Sequence, residues 1–215
     1  MKILLLNPNL TQAVTDAVLG AAQAAARPGT ELKAITGTFG PQVIGSRAEN
    51  ALAAHGVLEQ VAEHAPGCDA VVLAVSLDTG LWACRELLDI PVVGMTEAGV
   101  LTAAMLASRF AVLTYGARLV AVYRELVESY GMGSRLAAVG AVDVTPAQTF
   151  SEPERVLAEV RAGALALVQQ GAEAIVLGGA AMAAMAPKLQ AQVPVPLLDG
   201  ITCGVGLAEI GRAHV

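Results

Sequence analysis

With 215 residues, the chain has room for one large domain or for two lobes of about 100 residues each. Hydrophobic residues make up 55% of it and aromatics only 3%, so its core must be closely packed Ala, Val, Leu and Ile. A net charge of −6, with basic residues scattered singly, leaves no basic stripe for nucleic acid and no polybasic face for an anionic membrane.

No apolar run reaches the roughly 18–20 residues of a membrane-spanning helix without a charge or a Pro/Gly break. The start MKILLLNPN is interrupted at Asn7 before any cleavage region, which reads as no signal peptide and a cytoplasmic location. Cys68, Cys84 and Cys203 form no even-numbered framework and no C-x-x-C spacing, so reduced thiols are expected. His55, His64 and His214 show no metal-ligand spacing, and no metal site is expected.

In chain order, Lys2–Leu6 reads as a strand, Thr11–Ala26 as a helix, Glu31–Ile35 as a strand and Ala48–Ala65 as a helix. Strands are expected at Ala70–Val75, Pro91–Gly94 and Phe110–Thr114, then a helix at Leu119–Tyr130 and a strand at Leu136–Val144. The helix Glu154–Gln170 is preceded by Ser151, at capping-box spacing from Glu154, with Pro153 in its first turn. Strands at Ala174–Leu177 and Val195–Leu198 complete the series. These runs are short, mostly apolar on both faces and bounded by Gly, Pro, Asn or Asp, as buried parallel strands are. Their alternation with helices predicts an α/β fold with right-handed crossovers.

An internal echo divides the chain. DAVVLAVSLDTGL from Asp69 lines up with EAIVLGGAAMAAM from Glu173, and each is followed by a Pro-containing strand, at Ile90 and at Val195. KILLLNPN and FAVLTYGA correspond in the same order. Two pseudo-symmetric lobes are therefore expected, 1–107 and 108–215, each with a four-stranded, mostly parallel sheet and a cleft between them. The C-terminal helix is the element placed to pack back on the first lobe. Its Ala/Val/Leu-rich helices point to a homo-oligomer.

Ligands of open parallel sheets bind beyond the carboxyl ends of the strands. Those ends carry Asn7-Pro8-Asn9, Ser76 to Gly80, Thr96-Glu97, Thr114-Tyr115-Gly116, Gly178-Gly179-Ala180 and Asp199 to Cys203. The substrate-binding candidates are Asn7, Thr79, Thr114, Tyr115, Gly178, Gly179 and Ala180. Asp78 and Asp199 read as turn or cap residues, and Glu97 as a first-turn helix carboxylate. A lining of hydroxyls, amides and helix N-termini suits a small carbonyl or carboxylate compound.

NPNLT at Asn7, SLDTGL at Ser76, CRELLDIPVVGMTEA at Cys84, RFAVLTYG at Arg109, YGM at Tyr130, IVLGGAAM at Ile175 and PVPLLDG at Pro194 together resemble the hydantoin racemases, in order and over the whole chain. The resemblance is to the Asp/Glu/hydantoin racemase superfamily. It implies an isomerase acting at the carbon α to a carbonyl or carboxylate, with two cysteines and neither metal nor pyridoxal phosphate. One thiolate would take the proton and the other thiol return it from the opposite face.

Aligned on DTGL, the first of those cysteine positions falls at Val75, flanked by Ala74 and Ser76, and the second falls at Gly179. Neither carries a proton-transferring group. Three readings remain open. The chemistry has moved, to Cys203 and Ser76, with the Cys203 thiol lowered by a helix dipole. The reaction differs, as in the arylmalonate decarboxylases, isomerases or lyases of this fold. Or the chain binds a small ligand without turning it over.

Overall fold

The structure is a computed structural model and describes residues 1–212. In chain order it forms β1 (Lys2–Asn7), α1 (Gln12–Ala25), β2 (Glu31–Thr36), α2 (Arg47–His64), β3 (Ala70–Leu73), α3 (Leu81–Leu87), β4 (Val92–Gly94) and α4 (Met95–Leu106). The second half repeats the pattern with β5 (Phe110–Tyr115), α5 (Leu119–Ser129), β6 (Leu136–Val142), α6 (Gln148–Ser151) and α7 (Pro153–Gln169). It ends with β7 (Ala174–Leu177), α8 (Met185–Leu189), β8 (Leu197–Asp199) and α9 (Gly200–Arg212).

The strands form two four-stranded sheets, ordered β2-β1-β3-β4 and β6-β5-β7-β8. Every pairing is parallel. The two orders are the same when β1 is matched with β5, β2 with β6, β3 with β7 and β4 with β8, which is the correspondence the sequence echo predicts. No described helix is long and apolar enough to cross a membrane.

Strand alternation assigns the core. Ile3 and Leu5 join Val72, Leu113, Leu177 and Val205 in one cluster, while Leu4 and Leu6 join Leu73, Val112, Val176 and Tyr123 in the other. Both clusters contain residues of both sheets, so neither half closes its core alone. Successive side chains of β1 are fully buried on opposite faces, as a strand covered on both sides requires.

Two helices cross over to the opposite half. α9 packs on α1, β3 and β4, and α4 packs on α9 and β7. Close approach at their crossing depends on glycine. A Cβ at Gly200 would collide with the Met95 carbonyl oxygen, and one at Gly99 would lie 2.8 Å from Val176 Cγ1. Glu209 ties α9 to the first half by accepting from Arg27 N at 2.9 Å and Thr30 Oγ1 at 2.6 Å.

The capping box expected at Ser151 and Glu154 does not form. Residues 148–151 make their own helical turn, α6, so Glu152 precedes α7, with Pro153 as its first residue. A reciprocal cap of this kind opens α2 instead. Ser46 Oγ accepts from Glu49 N, and Glu49 Oε2 accepts from Ser46 Oγ and Gly45 N.

Candidate active site

The carboxyl ends of both sheets open on one cleft of about 620 Å³, its mouth included. The first half lines it with Asn9, Thr11, Val14, Val43, Ile44, Val75 and Ser76. The second half supplies Tyr115, Leu119, Pro146, Ala147, Phe150, Gly179, Ala180 and Ala181. Val75 and Ser76 from the end of β3 and Gly179 from the end of β7 thus share one space, as the pseudo-repeat requires.

Ser76 is held through its backbone. Its carbonyl accepts from Thr96 Oγ1 at 2.7 Å, and the Asp78 N–H closes the turn on the Val75 carbonyl at 3.1 Å. Asp78 itself takes a left-handed φ of 46°, which Asp tolerates better than most residues. Its carboxylate faces away from the cleft, accepting from Thr96 N at 3.0 Å and Glu97 N at 2.7 Å to cap α4. Asp199 plays the corresponding part for α9, accepting from Thr202 N at 2.8 Å. Glu97 is paired with Arg85. All three carboxylates are therefore structural, as the sequence reading expects.

Tyr115 closes the opposite wall. Its hydroxyl shares a 2.7 Å hydrogen bond with Thr149 Oγ1 on α6. Burial pushes its pKa up to about 12, against the lowering effect of that bond. The hydroxyl is therefore neutral, and a donor, throughout the physiological range.

Asn9 is the amide of the lining, and Asn7 lies beneath it. Asn7 is fully buried and donates through Nδ2 to Asn9 Oδ1, Thr11 O and Thr15 Oγ1. Asn9 Oδ1 also accepts from Thr11 N at 2.9 Å. Asn7 thus positions Asn9, where the sequence reading made it a ligand contact.

Thr79 is buried and bonded to Asn50, away from the cleft. Thr114 is fully buried too, and its hydroxyl has no hydrogen-bond partner. Gly178 lies behind the lining, with its N–H on Leu113 O at 2.8 Å. The Tyr123 hydroxyl packs against Gly178, near the hydroxyls of Ser76, Thr114 and Thr96 but outside hydrogen-bonding geometry, and burial raises its pKa.

Cys203 stands apart from Ser76. It lies in the first turn of α9 and lines a separate depression with Ala186, Pro187, Leu198, Asp199 and Thr202. Its thiol is not lowered as expected from the helix dipole. Burial pushes it up to about 11, a contact with Thr102 opposes this, and the Asp199 charge adds to it. Cys84 is buried and likewise raised to about 11, and Cys68 donates its thiol to His64 O at 3.5 Å. His214 lies outside the described residues.

The lining residues outside the strand-end loops named from the sequence are Thr11, Val14, Val43, Ile44, Leu119, Pro146, Ala147, Phe150 and Ala181. Most sit in the segments after β2 and β6, which are strand carboxyl ends too. The rule that found the other loops applies equally to these two.

A family model described as Asp/Glu/Hydantoin racemase matches residues 3–208. The chain is 39% identical over 211 residues to a hydantoin racemase of Pseudomonas sp. (strain NS671), covering 97% of this chain and 85% of that protein. It is 35% identical over 214 residues to a hydantoin racemase of Rhizobium meliloti, covering 97% of this chain and 88% of the relative. Among solved structures, it resembles allantoin racemase from Klebsiella pneumoniae, with a TM-score of 0.95, 36% identity and coverage of 100% of this chain and 88% of the other. With cleft, topology and sequence in agreement over nearly its whole length, the chain belongs to the Asp/Glu/hydantoin racemase family.

Proposed function

We propose that the cleft binds a small neutral carbonyl compound, a cyclic amide of the hydantoin or allantoin type, and that the protein is a racemase-like enzyme acting at the carbon next to that carbonyl. One observation carries this reading. Ser76 and Tyr115, each with a hydroxyl, line the cleft from opposite halves, and no lining side chain bears a charge at neutral pH. An acidic amino acid would leave its carboxylates without a cation, whereas a cyclic amide needs only hydrogen bonds.

The chemistry that fits neutral hydroxyls is carbonyl polarisation. Hydroxide from solvent takes the α-proton and becomes water, while the C–H electron pair moves onto the carbonyl oxygen as an enolate. Ser76 and Tyr115 donate to that oxygen, and each such donor is worth about 10²–10³ in rate in sites of this kind. Water then returns a proton to carbon from either side, which regenerates hydroxide and yields both enantiomers. The test is incubation of single enantiomers of 5-substituted hydantoins and of allantoin in D₂O, followed by NMR and polarimetry. Deuterium at the α-carbon with loss of rotation supports the reading, and absence of both for every compound refutes it.

A second reading draws on the same lining. None of its side chains is a base near neutral pH, which favours ligand binding without turnover. Calorimetric binding without isotope exchange would select it. In either case a homo-oligomer is the expected form, because Trp82, Leu87, Met105 and Leu106 are exposed large apolar side chains. A monomeric mass by light scattering at micromolar concentration would refute assembly.

A further inference from the structure

β7 runs into Gly178-Gly179, and each glycine has a tyrosine against its Cα. A Cβ at Gly178 would lie 2.9 Å from Tyr123 Oη, and one at Gly179 would lie 2.6 Å from Cε2 and 2.9 Å from Cδ2 of Tyr115. The backbone at Gly179 is extended, with φ −133° and ψ 131°, a conformation open to any residue. Glycine at 179 is therefore demanded by space and not by its own dihedrals.

That space is taken by a ring that cannot easily leave it. Tyr115 is only 7% exposed, and its hydroxyl is held by Thr149 on α6. Tyr115 and Gly179 both line the cleft, on the side opposite Val75 and Ser76.

We infer that Tyr115 is the specificity-determining residue of the cleft: its ring fills the volume that a side chain at 179 would occupy, and so limits the size of the group a ligand can place against the second sheet. The wall of the second half is then a phenol edge in place of a side chain from β7. Shortening Tyr115 opens that wall in two ways at once, toward residue 179 and toward a larger ligand substituent. Removing only the hydroxyl changes neither. The inference rests on the proposed function only for its choice of hydantoins as probes.

The test pairs a thermal-melting cycle with calorimetry. Gly179→Ala is made in the wild type and in the Tyr115→Phe and Tyr115→Leu backgrounds, Leu being chosen to keep the buried site apolar. In the first two, Gly179→Ala should lower Tm by at least about 3 °C, the scale of an overpacked core. In Tyr115→Leu the loss should fall to less than half of that. Binding of 5-methylhydantoin and 5-benzylhydantoin is then measured in wild type, Tyr115→Phe and Tyr115→Leu. The affinity ratio should shift about tenfold toward the benzyl compound in Tyr115→Leu alone. Equal Tm losses in all three backgrounds, or an unchanged ratio, would overturn the inference. If no variant binds either hydantoin, the functional reading fails, and the melting cycle still decides whether Tyr115 excludes a side chain at 179.

Discussion

The Tyr130 hydroxyl, just beyond α5 in the second half, donates to Asp78 Oδ2 in the first half at 2.6 Å. Asp78 also caps α4 through Thr96 N and Glu97 N, so a single carboxylate joins the turn behind Ser76 to both halves of the molecule. Burial raises its pKa to about 7, against three hydrogen bonds that favour the charged form. The folded state therefore holds a proton that the unfolded chain, with a carboxyl near 3.8, has already lost. By linkage this contribution to stability is complete below about pH 4 and is lost as pH rises to about 7. Melting temperatures taken from pH 4 to 8 should show a fall that is steeper in Tyr130→Phe, where a donor to the carboxylate is gone, and absent in Asp78→Asn. A pH profile unaltered by Asp78→Asn would refute the assignment.

Gly200 opens α9 directly against the Met95 carbonyl at the start of α4. The obstacle is backbone, so no rotamer change can make room for a methyl group. Gly200→Ala should cost about 3 kcal/mol, at the upper end of overpacking effects. Gly206, whose Cβ would meet nothing within 4 Å, should accept Ala at no cost or with a small gain in helix propensity. Urea denaturation of the two variants makes the comparison, and similar midpoints would contradict it.

Most of the fold was legible because nearly every strand is a short, mostly apolar run with a sharp end; β2, with Glu31 and Lys33, is the exception. The apolar pattern predicts β7 at its observed limits, and it stops one residue short of the end of β1, β2 and β5. For β8 the pattern starts two residues too early, since Val195 is apolar. Pro196 has no N–H for the ladder, however, and the Gln190 side chain bonds to Val193 O, Val195 O and Leu197 N instead.

The site was legible only in part. Strand-end position marked Ser76, Tyr115, Gly179 and Ala180, which do line the cleft. It gave no warning that Asn7, Thr79 and Thr114 are buried against protein, because burial at a strand end depends on the neighbouring loops. Val43, Pro146 and Phe150 come from irregular segments without periodicity, and the contact of Tyr115 with Gly179 joins different strands.

Cys203→Ala separates a relocated thiol mechanism from a hydroxyl one. Cys203 lines a depression that shares no residue with the cleft, and its thiol stays protonated to about 11. The variant should keep full isotope exchange and lose about 1 kcal/mol of stability, an ordinary core change. In the wild type, iodoacetamide at pH 7.5 should label Cys203 slowly, since alkylation needs the thiolate. Loss of exchange in Cys203→Ala at unchanged Tm would restore the thiol to the mechanism.

In the proposed mechanism, hydroxyls from the two halves, and no thiol, activate the carbon next to the ligand's carbonyl. Deuterium exchange at that carbon of a 5-substituted hydantoin, measured by NMR against pH, tests it most directly. The predicted rate climbs with hydroxide concentration without a plateau near pH 8–9, where an ordinary thiol base would ionise. It falls about 10²-fold in Tyr115→Phe and again in Ser76→Ala, each of which removes one donor. A rate that levels off near pH 8–9, or that survives loss of both hydroxyls, would contradict the account.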